Sequence, residues 1–141
     1  MKFEEQVLSR EQMAHLEELG VDTSDASMMW YYCDKKWYLQ INNELSQGIA
    51  RVMKGTVDCF VPTYTIGDLI KKLPVCLNNK SYKRAIEIDG ECVRAGYYEI
   101  FSCTYPVMFK SSTEGQSVKD MLYKLLCWVA ENTYKTKLMK I

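Results

Sequence analysis

Histidine is nearly absent: His15 is the only one in 141 residues. Six cysteines occur, at 33, 59, 76, 92, 103 and 127, yet no two form a C-x-x-C pair. A structural zinc site wants four Cys or His ligands, usually as two close pairs, so no metal site is expected. A catalytic thiol generally needs a base beside it, most often histidine. Only a fold that brings His15 to Cys127 could supply one, and a solvated histidine is the plainer expectation. No G-x-G-x-x-G, G-x-x-x-x-G-K-[ST], H-E-x-x-H or G-x-S-x-G occurs. Nucleotide binding and the familiar hydrolases therefore lack sequence support, and no cofactor is expected.

Charge excess is missing too, with 18 basic and 18 acidic side chains. General nucleic-acid binders usually carry a positive surplus, so that function starts at a disadvantage. No run approaches the roughly 18 apolar residues of a membrane span. The opening "MKFEEQVLSREQ" has no apolar segment of the secretory kind, which predicts a cytoplasmic protein without membrane partners. In that setting, and at a length sufficient to bury a core, the cysteines are expected as thiols.

What remains is the composition of one globular domain over residues 1–141: 48% hydrophobic and 26% charged. Three helix starts stand out. In "LSREQM", Ser9 caps, Gln12 reaches back, and Leu8 staples to Met13. In "YTIGDLIKKLP", Thr65 caps, Asp68 takes the reciprocal place, and Pro74 ends the helix. Asp is shorter than the preferred Glu or Gln, so this box is expected to be the weaker. Ser117 opens the third helix, where Val118, Met121, Leu122, Leu125 and Val129 share one face. Cys127 falls with the polar residues Asp120, Lys124 and Glu131, outside that face unless another element covers it.

Between the helices lie β patterns. "SMMWYYC" and "KWYLQI" read as a hairpin, and "AIEIDGECV" places Asp89-Gly90 at the turn of another. "GYYEIFSCTY" and "PVMFK" are further strands. Residues 42–58 are ambiguous between a strand around Ile49 to Met53 and an irregular loop. The sum predicts an α+β domain with a mostly antiparallel sheet. An N-terminal, a short middle and a C-terminal helix accompany the sheet, the last packed on it.

Candidate sites follow from side-chain chemistry. Trp30, Tyr31, Tyr32, Trp37 and Tyr38 crowd one hairpin, and alternation cannot bury them all on one face. Exposed Trp and Tyr are typical of binding hot spots, so Trp30, Tyr32, Trp37 and Tyr38 are the candidate protein-binding residues. The competing expectation is a hairpin half-buried on both faces. Lys71, Lys72, Lys80, Lys83 and Arg84, with Tyr82 able to stack, offer a single-strand nucleic-acid surface as the alternative. Asp22 with Asp25, and Glu87 with Asp89 and Glu91, are the carboxylate groupings. Turn-capping and solvation are their simpler roles.

Three blocks, "LSREQMAHLEELGVDTSDASMMW", "PTYTIGDLIKKLP" and "MLYKLLCWVAENTY", together resemble small uncharacterised proteins encoded in prophage and mobile-element regions of gut anaerobes. Tyr64 stands where that set usually has Phe, and Thr133 where a Gly often ends the last helix. The resemblance implies a bacterial or phage setting and brings no mapped site. The expectation is a non-enzymatic adaptor or modulator that binds a host or phage protein.

Overall fold

The computed structural model describes residues 3–54, 59–77, 81–90, 92–111 and 116–132. A 3-10 turn (Phe3–Gln6) leads into helix α1 (Arg10–Glu18), strands β1 (Met28–Cys33) and β2 (Lys36–Ile41), and helix α2 (Glu44–Lys54). Strand β3 (Cys59–Thr63), helix α3 (Ile66–Lys72) and strands β4 (Cys76–Leu77), β5 (Tyr82–Asp89), β6 (Cys92–Glu99) and β7 (Thr104–Lys110) precede helix α4 (Val118–Asn132). The class is α+β, as the patterns predict, with all pairing antiparallel. The strands form two sheets, ordered β2-β1-β3 and β4-β5-β6-β7.

The three anticipated helix starts form. Ser9 Oγ accepts from the Gln12 amide at 3.1 Å and Gln12 Oε1 accepts from the Ser9 amide at 2.9 Å, closing the box with Leu8 and Met13 buried beside it. The shorter Asp68 closes its box with Thr65 equally well, at 3.1 and 3.0 Å. Its Oδ2 also receives the backbone amide and hydroxyl of Ser27. At α4 the box stays open. Ser117 caps the Asp120 amide, but the Asp120 carboxylate accepts instead from Gln12 Nε2 at 2.9 Å, tying the start of α4 to α1.

Residues 42–58 were the ambiguous stretch, and the structure places α2 across most of it. Asn43 Oδ1 caps the Ser46 amide at 2.7 Å. Leu45, Ile49 and Val52 then recur at i, i+4, i+7. The β-branched Ile49 and Val52 carry the strand flavour of the sequence without altering the helical spacing.

Turn chemistry sets the hairpins. Asp34 and Lys35 both adopt positive φ, 51° and 63°, the left-handed pair that matches the twist of β1 and β2. In the second sheet Asp89 still pairs, with Cys92, so the turn begins at Gly90, one residue later than Asp89-Gly90 suggests. A Cβ at Gly96 would collide with the Val107 carbonyl, so β6 and β7 approach as closely as they do only because that position is glycine. Pro62 and Pro106 both lie in edge strands, β3 and β7, where a missing N–H costs no ladder bond.

The main core lies between α4 and the inner face of the second sheet, where Ala95, Tyr97 and Val107 meet Met121, Leu122, Leu125 and Val129. Leu8, Met13 and Leu16 extend it toward α1, and Tyr64 and Leu69 toward α3. The first sheet meets this core around the backbone of Leu8. Leu8 N–H donates to the Tyr64 carbonyl at 3.0 Å, and the Leu8 carbonyl accepts from Thr63 Oγ1 at 2.6 Å and Trp30 Nε1 at 3.2 Å.

A polar clamp holds the 22–27 loop. The single Tyr64 hydroxyl proton faces two acceptors, Asp25 Oδ1 at 2.7 Å and the Asp22 carbonyl at 2.9 Å. Lys72 Nζ donates to the same pair, Asp25 Oδ2 at 2.9 Å and the Asp22 carbonyl at 2.7 Å. Burial first, and then the Asp25 carboxylate, hold the Tyr64 phenol above its ordinary range. Tyr64→Phe should cost about 1–3 kcal/mol in urea unfolding at neutral pH, the scale of a buried bond to a charged acceptor. The raised phenol stabilises the fold fully below its unfolded value near 10. That contribution fades as pH rises further, so the gap between wild type and variant should narrow on the alkaline side.

Candidate functional site

Helix α2 is mounted with its polar side inward. Gln40 Nε2 donates to the Ser46 carbonyl at 2.9 Å, Gln47 Nε2 to Asn42 Oδ1 at 3.4 Å, and the Arg51 guanidinium lies 4.8 Å from the centre of the Phe60 ring. The apolar stripe therefore points to solvent. Leu45 is 73% exposed, Ile49 53% and Val52 83%. Each such side chain left in water forgoes about 1.5–3 kcal/mol of burial. Together with Glu44 and Gly48 they line an open groove of about 400 Å³. Gly48 has nothing within 4 Å of where a Cβ would stand. Glycine within an exposed helix costs about 1 kcal/mol relative to alanine, and no contact from the described residues offsets it here.

The aromatic hairpin is divided between two faces, as alternation requires. Trp30, Tyr32 and Trp37 share the face beneath α1, and Tyr31 and Tyr38 share the other with Phe60. Tyr32 packs on Trp37 at 5.0 Å and Tyr31 stacks on Tyr38 at 5.1 Å. The Arg10 guanidinium covers the Trp37 ring at 4.0 Å, and the Trp30 indole N–H is engaged by Leu8. Trp30, Tyr32, Trp37 and Tyr38 are all half-buried, which leaves a partner less of each than α2 presents. A second hollow, about 300 Å³, opens between Trp37, Val61 and the Arg10, Met13, Ala14 and Glu17 side of α1.

Two cations of the basic segment are engaged within the fold. Lys72 is bound to Asp25, and Arg84 donates to the Ile70 and Leu73 carbonyls at 2.8 and 3.0 Å, closing the end of α3. Lys71 and Lys83 are exposed, and Lys80 lies outside the described residues. Among the carboxylates, Asp22 and Asp25 belong to the clamp on the 22–27 loop. Glu87 pairs with Arg94 across the β5–β6 ladder at 2.8 Å, while Glu91 lies outside the described residues.

Cys127 is buried although it lies off the main apolar face. The covering element is α1, which runs beside the row of Asp120, Tyr123 and Cys127, as the Gln12–Asp120 bond and the His15–Tyr123 ring contact at 6.3 Å show. Tyr123 is the polar group beside the thiol, and His15 instead stands 3.7 Å from Glu18. Burial pushes the Cys127 thiol up to about 11. Among the described residues no three His, Cys, Asp or Glu side chains are grouped to hold a metal ion, and no helix is long and apolar enough to cross a membrane.

The sequence carries the signal for α2 in Asn43 and the 45–49–52 spacing, but only the fold shows that this face is uncovered. The chain matches no protein-family model, no curated protein and no solved structure.

Alkylation separates the thiols. Near pH 8, a thiol at about 11 is ionised only to the order of one part in a thousand, and only the thiolate reacts. Iodoacetamide should label exposed Cys59 and Cys103 first and leave buried Cys127 unmodified until the chain unfolds, read by peptide mass spectrometry. Fast labelling at Cys127 would restore it as a candidate nucleophile.

Proposed function

We propose that this protein is a non-enzymatic interaction module that binds another protein chain through the apolar face of α2. The observation that carries this reading is the inverted mounting of that helix, polar side on the sheet and Leu45, Ile49 and Val52 in water. A small domain rarely leaves an aligned apolar stripe uncovered unless something binds there. Amphipathic helices recognised this way present anchors at i, i+4 and i+7. The half-buried aromatics of β1 and β2 serve first as the platform beneath α1 and α2. The resemblance to prophage and mobile-element proteins supports a modulator of a host or phage component.

Among the described residues, a nucleic-acid function would rest on Lys71 and Lys83, since Lys72 and Arg84 hold the fold together. Two exposed lysines among them give phosphates little to engage.

Leu45→Glu combined with Val52→Glu tests the reading. Both side chains are already in solvent, so thermal unfolding should move by no more than about 0.5 kcal/mol. Protein association through this face, measured by calorimetry or quantitative capture, should fall at least tenfold. Unchanged association by a folded variant would remove α2 as the binding face.

A further inference from the structure

We infer that the occupant of the α2 face is a second copy of this chain, packed antiparallel across the Gly48–Ile49 peptide. The inference rests on the interaction reading above and names its partner. Three observations point to self-pairing. Leu45 and Val52 lie equally far from the Gly48–Ile49 peptide along α2, so a two-fold axis through it sets each Leu45 against Val52 of the other copy. On the two sides of the stripe, the same axis sets Ile49 against Ile49 of the other copy and Gly48 against Gly48. The space above Gly48 is open, so the two glycines let the helix backbones approach closely while the exposed isoleucines pack on each other.

Charge selects the direction. Glu44 and Arg51 are seven residues apart, two turns along one flank of the stripe, and both are exposed. In an antiparallel pair with two-fold symmetry a flank meets its own copy. Glu44 then lies near Arg51 of the second copy, and the pairing repeats on the other side of the axis. A parallel pair brings that flank against the opposite one, where Ser46, the side chain described there, offers no charge to either. One short helix per copy buries a small interface, of the size class that forms weak, reversible pairs.

Sedimentation velocity on the full chain, from about 1 to 300 µM, tests the pairing. Wild type should shift from monomer to dimer across that range. Leu45→Glu should abolish the shift. Glu44→Arg and Arg51→Glu should each weaken it by about fivefold, and the double exchange should restore it to within about twofold. Circular dichroism on each variant confirms folding, and Glu44→Arg leaves the Arg51–Phe60 contact intact should Arg51→Glu disturb it. A dimer indifferent to Leu45→Glu, or a double exchange no better than the singles, would overturn the inference. A monomer at every concentration would also overturn it, and the interaction reading would survive only if capture of another protein still depended on Leu45. A monomer with no such capture ends both.

Discussion

The backbone of Leu8 holds the two halves of the molecule in register. Its N–H and carbonyl are both engaged, by Tyr64, Thr63 and Trp30, while its side chain is fully buried in the main core. Unpaired buried backbone groups are costly, so the N-terminal segment, the first sheet and the start of α3 must be placed together or not at all. The residue just before the Ser9 cap thus fixes where α1 begins and also how the first sheet sits against the core. Gln12 extends the constraint, because one amide serves the Ser9 box with its oxygen and the Asp120 carboxylate with its nitrogen. Two helix starts distant in sequence thereby share one side chain.

Features that depend on a few neighbouring residues were legible in the sequence. The Ser9–Gln12 and Thr65–Asp68 boxes, the β1–β2 hairpin and the apolar face of α4 all follow from spacing of four residues or fewer, repeated. The rest depended on long-range placement. Nothing near Cys127 states that α1 would cover it. Nothing in "IKKLPVCLNNKSYKR" states that Arg84 would turn back to the carbonyls ending α3 while Lys83 points to solvent. Residues 42–58 failed for a local reason, since Gly48 and two β-branched residues weaken helix propensity where the periodicity is still helical. The candidate surface was the least legible part. A stripe at 45, 49 and 52 looks the same whether it faces a core or water.

The two aromatic-rich faces of the first sheet show how that ambiguity resolves. On one, Arg10 lies over Trp37; on the other, Arg51 lies near Phe60. In both places a guanidinium from a helix caps a ring on the sheet, a contact that keeps its charge hydrated while the ring is shielded. At α2 Gln47 faces the sheet side while Arg51 reaches the Phe60 ring from the exposed flank, so the apolar residues are turned away from the sheet. Polar contacts to the sheet and an outward stripe are two sides of one arrangement.

Pro62 and Pro106 have a consequence at high protein concentration. Each sits in an edge strand without an amide proton to offer, so a foreign strand laid along β3 or β7 meets a gap in the hydrogen-bond ladder. The edge at β4 is only two residues long. Open-ended growth by strand addition, the route to cross-β fibres, is thereby discouraged at three of the four sheet edges. Bare leucine, isoleucine and valine displayed on a helix offer no unpaired backbone for such growth, because stickiness confined to a helix closes on itself while stickiness along a strand propagates.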